Sequence, residues 1–306
     1  VLGGKPEHLL FVIYQMPTSD QNPDSLSDVP FAKMTGSGND FVFFDSREVP
    51  IDIVTSSDMI QVICNRHNGI GADGVVVLEG IIGAAHARIH YFNSDGSAAD
   101  LCGNATLCST TMSVELGLAS APDMVLLTPA GEIRSRIVNG LPEIDLQPVH
   151  DIGPDVAIPL DVGEQRIGFA TAGIPHLVVL CADADSIDVA SRGPRLRYHV
   201  AVGPQGANVN WVSRRRDGSW RYRTYERGVE GETQACGTGA VATAVLLASW
   251  GLASSPVTIR TSSGRDLVVS LAALVGIESG ASGRWQPTLR GEGRVVFRGR
   301  IATLIR

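Results

Sequence analysis

Two cysteines stand where a thiol is most readily put to acid–base work. Cys102-Gly103 and Cys236-Gly237 each open a run of helical character, from about Asn104 to Leu116 and from about Thr238 to Trp250. A thiol at a helix N-terminus meets unpaired backbone N–H groups and the positive end of the helix dipole, and both favour the thiolate. The same N–H groups bind a carboxylate. Two such helix ends at one cleft would set two thiols around an anion cradle. That suits taking a proton from one face of a carbon next to a carboxylate and returning one to the other face. The N–H donors would stabilise the carbanion as its charge develops. Free cysteines are usually small core residues, and Cys64, Cys108 and Cys181 read that way. Cys102 and Cys236 differ because they occupy equivalent places in a repeat.

The repeat supplies the elements that must position them. Fifteen residues after each Cys comes Gly-Leu-Ala-Ser, at 117–120 and at 251–254. Twenty residues after each stands a proline, Pro122 and Pro256, followed by an apolar run that ends near Gly131 or Gly264. Four matches in register, 134 residues apart, predict two structurally related halves. Each unit reads as turn, helix, turn, strand. Gly117 and Gly251 fall where a left-handed C-terminal cap belongs. The second helix (AVATAVLLASW) is apolar almost all round, so it should be buried inside its half. Short β-rich runs surround the helices: 41–45, 75–78, 87–92, 125–128, 133–138, 177–180, 209–213 and 267–271. The expected fold is therefore α/β (α+β). Two pseudo-symmetric domains each have a curved mixed β-sheet or barrel wrapped around a central helix. Residues 31–146 with 290–306 form the N-terminal domain and residues 147–289 the C-terminal one. Residues 1–30, with the polar Pro- and Ser-rich stretch from Pro17 to Pro30, read as a flexible extension or linker.

Composition narrows the function. The 306 residues are 44% hydrophobic and 19% charged, which is globular. The net charge of −7 argues against nucleic acid as a partner. No apolar run approaches the roughly 20 residues that span a bilayer, so no membrane partner is expected. Five cysteines, none at C-x2-C spacing, argue against a disulfide framework and a zinc site and point to a reducing cytoplasm. Gly69-Ile-Gly71-Ala-Asp-Gly74 has dinucleotide spacing, but a strand follows it where that fingerprint needs a helix. Gly237-Thr-Gly239-Ala-Val-Ala242 opens a helix but lacks the acidic residue that binds ribose. The sequon at Asn104 is an accident in a cytoplasmic chain, and Asn104 serves better in the anion cradle. His176, after Pro175, reads as a catalytic base or as a packed loop histidine.

Five segments carry a resemblance: FAKMTGSGNDF (31–41), NRHNGIGADG (65–74), YFNSDGSAADLCGN (91–104), GIPH (173–176) and YERGVEGETQACGTGA (225–240). Together they resemble diaminopimelate epimerase, an isomerase family, and the resemblance covers residues 31–306. It implies cofactor-independent interconversion of LL- and meso-diaminopimelate, a step of lysine and peptidoglycan precursor biosynthesis, with no cofactor and no metal. It implies Cys102 and Cys236 as the catalytic thiolate base and thiol acid, with His176 and Glu226 as auxiliaries. Gly103-Asn104 and Gly237-Thr238 would hold the carboxylate at the reacting carbon. Asn39 would contact substrate, Glu226 would lie near its ammonium, and Asn93, Asn208 and Arg227 would grip the far end. An Arg guanidinium suits a second carboxylate through two parallel N–H donors. The partner is a small amino acid, and a homodimer is compatible with the chain.

The sequence also departs from the family's pattern. Cys102-Gly-Asn-Ala105-Thr-Leu107-Cys108 stands where C-G-N-G-x-R-C is usual, and Ile174 where G-N-P-H has asparagine. Ile174 cannot hydrogen-bond, and Gly74 stands where some members have a side-chain contact. Histidine and proline racemases of related two-cysteine design are the nearest alternatives. A binding protein that kept the fold and lost turnover is a third.

Overall fold

The computed structural model describes residues 25–49, 51–81, 83, 85–99, 101–120, 123–274 and 285–305. Pro122 and most of the expected extension, residues 1–24, lie outside these. The strands are β1 (Ser25–Leu26), β2 (Val29–Gly36), β3 (Asn39–Asp45), β4 (Gly74–Gly80), β5 (Ala87–Asn93), β6 (Asp123–Thr128), β7 (Gly131–Val138), β8 (Leu141–Asp145), β9 (His150–Gly153) and β10 (Glu164–Ala172). They continue with β11 (Ile174–Cys181), β12 (Asn208–Arg214), β13 (Trp220–Glu226), β14 (Gly231–Thr233), β15 (Val257–Arg260), β16 (Asp266–Ala273), β17 (Trp285–Arg290), β18 (Arg294–Ile301) and β19 (Leu304–Ile305). The α-helices are α1 (Ile51–Val54), α2 (Ser57–Cys64), α3 (Gly103–Glu115), α4 (Val189–Arg197) and α5 (Gly237–Ser249). The expected residue 1–30 extension therefore ends earlier than its composition suggests. Ser25–Leu26 pairs with Leu304–Ile305, and Val29 already belongs to the strand that pairs with β18.

The two halves repeat one pairing pattern. In the first, β2–β3 is antiparallel, β3–β4 parallel, β4–β5 antiparallel, β5–β6 parallel, and β6–β7–β8 antiparallel. In the second, β10–β11, β11–β12, β12–β13, β13–β15 and β15–β16–β17 follow the same alternation. Parallel neighbours need a crossover, and helices supply it. The pairs β5–β6 and β13–β15 are joined through α3 and α5, which start 134 residues apart and are 13 residues each. The halves are stitched where β8 pairs with β17. Beyond that seam the chain changes sides twice: β9 pairs with β10, and β18 pairs with β2.

The two central helices are buried by different means. Helix α5 packs Val241, Ala244, Val245, Leu246 and Leu247 into the main apolar cluster at no more than 1% exposure each. Helix α3 is also buried but carries Thr106, Ser109 and Thr110. Their hydroxyls donate back to the carbonyls four residues earlier, Cys102, Ala105 and Thr106, at 2.8–2.9 Å, so burial leaves these groups paired. Gly117 and Gly251 close the helices with φ of +68° and +69°, as left-handed caps do. The sheet comes close to α5: a Cβ on Gly168 of β10 would lie 2.8 Å from Leu246 Cδ2. Leu246→Ala should therefore leave a cavity that the neighbouring strand cannot fill. The expected loss is about 2–5 kcal/mol, read as a lower urea midpoint with an unchanged slope.

Candidate active site

Helices α3 and α5 meet at their N-terminal ends. A Cβ built on Gly103 would lie 3.7 Å from the Gly237 Cα, and one on Gly237 would lie 3.6 Å from the Gly103 Cα. Cys102 and Cys236 are the N-cap residues, with φ/ψ of −130°/115° and −129°/114°. Two equivalent backbones thus aim two thiols from one junction. The first intrahelical N–H donors are those of Thr106 and Ala240, bonded to the cysteine carbonyls. The N–H groups before them are left for the site, as at any helix start.

A hydrogen-bonded chain runs to Cys236. Asn210 accepts two hydroxyl donors at Oδ1, Tyr222 at 2.8 Å and Thr224 at 3.0 Å. Its Nδ2 donates to the Leu177 carbonyl at 2.9 Å. These contacts fix which end of the amide is which, so Nδ2 also donates to His176 Nδ1, 3.2 Å away. The imidazole must then carry its hydrogen on Nε2, which faces Thr238 Oγ1 at 3.1 Å. The Thr238 hydroxyl is left to donate to Cys236 Sγ at 3.5 Å. Asn208 Nδ2 approaches the same sulfur at 3.8 Å, and its Oδ1 accepts the Arg227 backbone N–H at 2.8 Å. Gly239 is required beside this chain, because a Cβ there would meet Tyr222 OH at 2.2 Å and Asn210 Oδ1 at 2.4 Å.

On the other side Asn104, buried at 2% exposure, donates to Asn39 Oδ1 at 2.6 Å, and its own Oδ1 has no partner. Asn39 donates in turn to Asp73 at 3.1 Å. Arg66 bridges Asp73 and Asp40 at 2.7 and 2.8 Å, and Lys33 pairs with Asp40 at 2.7 Å, so Asn39 hangs from an ionic lattice. Asn93 lies further along β5. It accepts from Tyr91 OH at 3.1 Å and donates to Ser97 Oγ at 3.0 Å, which ties it into a turn. Glu226 sits where its charge is felt by both Cys102 and Cys236, and Thr233 Oγ1 donates to it. The half-buried Arg227 guanidinium forms no ion pair among the described residues. Ile174 opens β11 opposite Ala172.

Electrostatics correct one expectation. The helix N-termini do act on the thiols: the N–H groups of Asn104 and Ala105 favour the Cys102 thiolate, and that of Gly239 favours Cys236. Burial outweighs them. Cys102 is pushed up to about 11, and Cys236 well above the ordinary thiol range. Burial also raises the Glu226 carboxyl. It drives His176 down to about 3, helped by the nearby Arg227 charge, so the imidazole is neutral at ordinary pH. His176 is therefore a neutral hydrogen-bond relay in this resting site. Sequence reasoning missed Asn210, Tyr222, Thr224 and Thr233, and missed the Asp73–Arg66–Asp40–Lys33 lattice. One signal was available: Asn208 and Asn210 alternate with apolar residues in a strand, which puts both on one face.

A family model described as diaminopimelate epimerase matches residues 31–145 and 168–273, which contain both thiols and the groups around them. The chain belongs to the diaminopimelate epimerase family. A diaminopimelate epimerase of Gemmatimonas aurantiaca is 65% identical over 276 residues, covering 90% of this chain and 99% of that one. One from Aquifex aeolicus is 34% identical, covering 79% and 90%. Solved structures share the fold at low identity. A hydroxyproline epimerase from Agrobacterium vitis has a TM-score of 0.65 at 18% identity, covering 89% of this chain and 92% of that one. A Bacillus anthracis phenazine biosynthesis protein of the PhzF family has 0.67 at 15%, covering 90% and 99%. The epimerase family's sheet-wrapped helix pair is thus shared by proteins of other names.

The buried neutral histidine has a consequence for stability. Its folded pKa of about 3 lies below the ordinary 6.5, so between these values the unfolded chain binds a proton that the folded one refuses. Stability should fall as pH drops through that window, by up to about 1.4 kcal/mol per pH unit from this group. His176→Gln should flatten the slope by a comparable amount, as read by urea unfolding at a series of pH values. An unchanged slope would mean that the imidazole takes its proton while folded.

Proposed function

We propose that the chain epimerises LL-diaminopimelate to meso-diaminopimelate without a cofactor, by proton transfer between Cys102 and Cys236. The observation that carries this reading is the meeting of two helix starts, each capped by a cysteine of matching backbone conformation. One of the two, as thiolate, takes the α-proton, and the other, as thiol, delivers one to the opposite face. In the reverse reaction the roles exchange. The carboxylate of the reacting centre takes the free N–H groups of Gly103-Asn104 and Gly237-Thr238, with the Asn104 and Asn39 amides beside it. A carbanion at that carbon delocalises into this carboxylate, where fixed donors serve it best. Glu226 receives the ammonium. Arg227, with Asn93 and Asn208, takes the distal carboxylate. His176 holds Thr238 so that its hydroxyl faces the sulfur.

Outside the site, Val296 and Phe297 are about half exposed on β18. Among the described residues β18 pairs on one edge alone. These features support a homodimer. The free state of all five cysteines supports a cytoplasmic setting.

Reaction in deuterated water tests the function. Incubation with LL-diaminopimelate should give the meso form with one solvent deuterium at the inverted carbon, by chiral chromatography and mass spectrometry. Turnover of free proline or histidine in its place would name the alternative. Cys102→Ala and Cys236→Ala should each lower turnover by at least about 10²–10⁴-fold, the usual worth of a positioned acid or base. Substantial turnover by either variant would remove the two-thiol mechanism.

Arg227→Met should lose about two orders of magnitude in kcat/KM on diaminopimelate, since each 1.4 kcal/mol is about tenfold and an unpaired buried charge costs a few kcal/mol. The loss should be much smaller for an amino acid lacking the second carboxylate. Equal losses would place Arg227 elsewhere.

A further inference from the structure

Tyr91 has no role in the reading above, yet it occupies the space between three of its parts. Its ring stands edge-on to Phe41, with centroids 5.9 Å apart at 79°, which fixes its direction. It walls the same small cavity as Cys102, Leu101 and Ala105. Its hydroxyl lies 3.1 Å from Asn93 Oδ1. On its third side is Gly74: a Cβ there would lie 2.8 Å from Tyr91 Cε2, 3.2 Å from its hydroxyl oxygen and 2.5 Å from the Phe92 carbonyl. The phenol therefore fills the volume that a side chain at position 74 would need. The polar group facing Cys102 from this wall comes from β5 and not from β4.

A phenol has one hydrogen to donate. The contact to Asn93 is long for an O–H···O bond, so it is readily exchanged for a better acceptor. A thiolate beside it is such an acceptor, because charge-assisted hydrogen bonds are about twice as strong as neutral ones. The Tyr91 hydroxyl does favour ionisation of Cys102. The other titratable groups facing that sulfur oppose it or are too buried to help. Glu226 on β13 raises it, and Cys108 on its own helix is itself pushed well up.

We propose that Tyr91 is a positioning residue for Cys102: its hydroxyl hydrogen rests on Asn93 while the sulfur is a thiol and turns to the sulfur when it becomes a thiolate. No proton leaves the phenol. The rotation gives Cys102 the hydroxyl donor that Thr238 gives Cys236. It also frees Asn93 Oδ1 as an acceptor at the moment the base is formed. The inference rests on the two-thiol reading for its purpose, though not for its test.

The test is the pH dependence of alkylation of the free enzyme by iodoacetamide, followed at Cys102 and Cys236 separately by peptide mass spectrometry. Tyr91→Phe removes only the hydroxyl. It should raise the Cys102 midpoint by about one pH unit, slow its alkylation several-fold at about pH 8, and leave the Cys236 midpoint in place. Site-specific 3-fluorotyrosine at position 91, a stronger donor of the same shape, should lower the Cys102 midpoint, and it serves even if the phenylalanine variant folds poorly. A Cys102 midpoint unmoved by the fluorinated residue, or by a folded Tyr91→Phe, overturns the proposal, because a purely packing role shifts thermal stability and not the thiol. If Cys102→Ala keeps turnover, the two-thiol reading fails while the alkylation result still decides the Tyr91 contact.

Discussion

Everything in the site hangs on bringing two helix N-termini into contact. Each end carries about half a positive charge and several unpaired N–H groups, so the two ends repel and both ask for an anion. Packing holds them together against this. Glycine at 103 and at 237 removes the side chains that would keep the backbones apart, and Leu289 of the seam strand β17 covers both. The junction is also a buried one, and burial raises both thiols although each meets backbone N–H donors at its helix start. A substrate carboxylate at the junction would relieve the repulsion between the ends. A thiolate formed there would draw on the same donors.

The two sides of the junction are braced by different chemistry. On the second half a neutral truss of Asn210, Tyr222, Thr224 and His176 fixes one hydroxyl direction towards Cys236. On the first half an ionic lattice of Lys33, Asp40, Arg66 and Asp73 fixes the Asn39 amide. Duplication gave both halves one backbone, and the side chains then diverged. The truss itself carries no net charge beside a buried thiol, where an uncompensated charge is most costly. The ionic lattice lies in a partly exposed corner, where water screens it.

The cysteine pair and the helices behind it were legible because the sequence states them twice. The strands 41–45, 75–78 and 209–213 were legible as apolar runs and lie within β3, β4 and β12. What escaped depends on neighbours distant in the chain. Helix α4 carries Gly193 and Pro194, a pair that argues against a helix locally. Gly193 is there because a Cβ would meet Tyr225 Cδ2 at 2.4 Å. Residues 25–30 read as linker because Ser25–Leu26 finds its partner at the opposite end of the chain. The thiol shift took the wrong sign because a helix dipole is visible in a sequence and the depth of burial is not. His176 stayed ambiguous for a related reason. Its role is set by the orientation of Asn210, which three other groups decide.

The exchange of β9 and β18 between the halves bears on synthesis. Strand β2 is completed by β18, so that Arg300 bonds to Asp28 across 272 residues of chain. The first half cannot close its sheet until β18, which follows the whole of the second half in the chain, has been made. Such long-range pairing is intrinsically slow, and its waiting states are prone to aggregate. The order of assembly follows as well. The second half, once β17 is in place, can be finished with β9 already present, and it then offers β8 the partner that aligns β18 with β2. The half translated first is the half completed last.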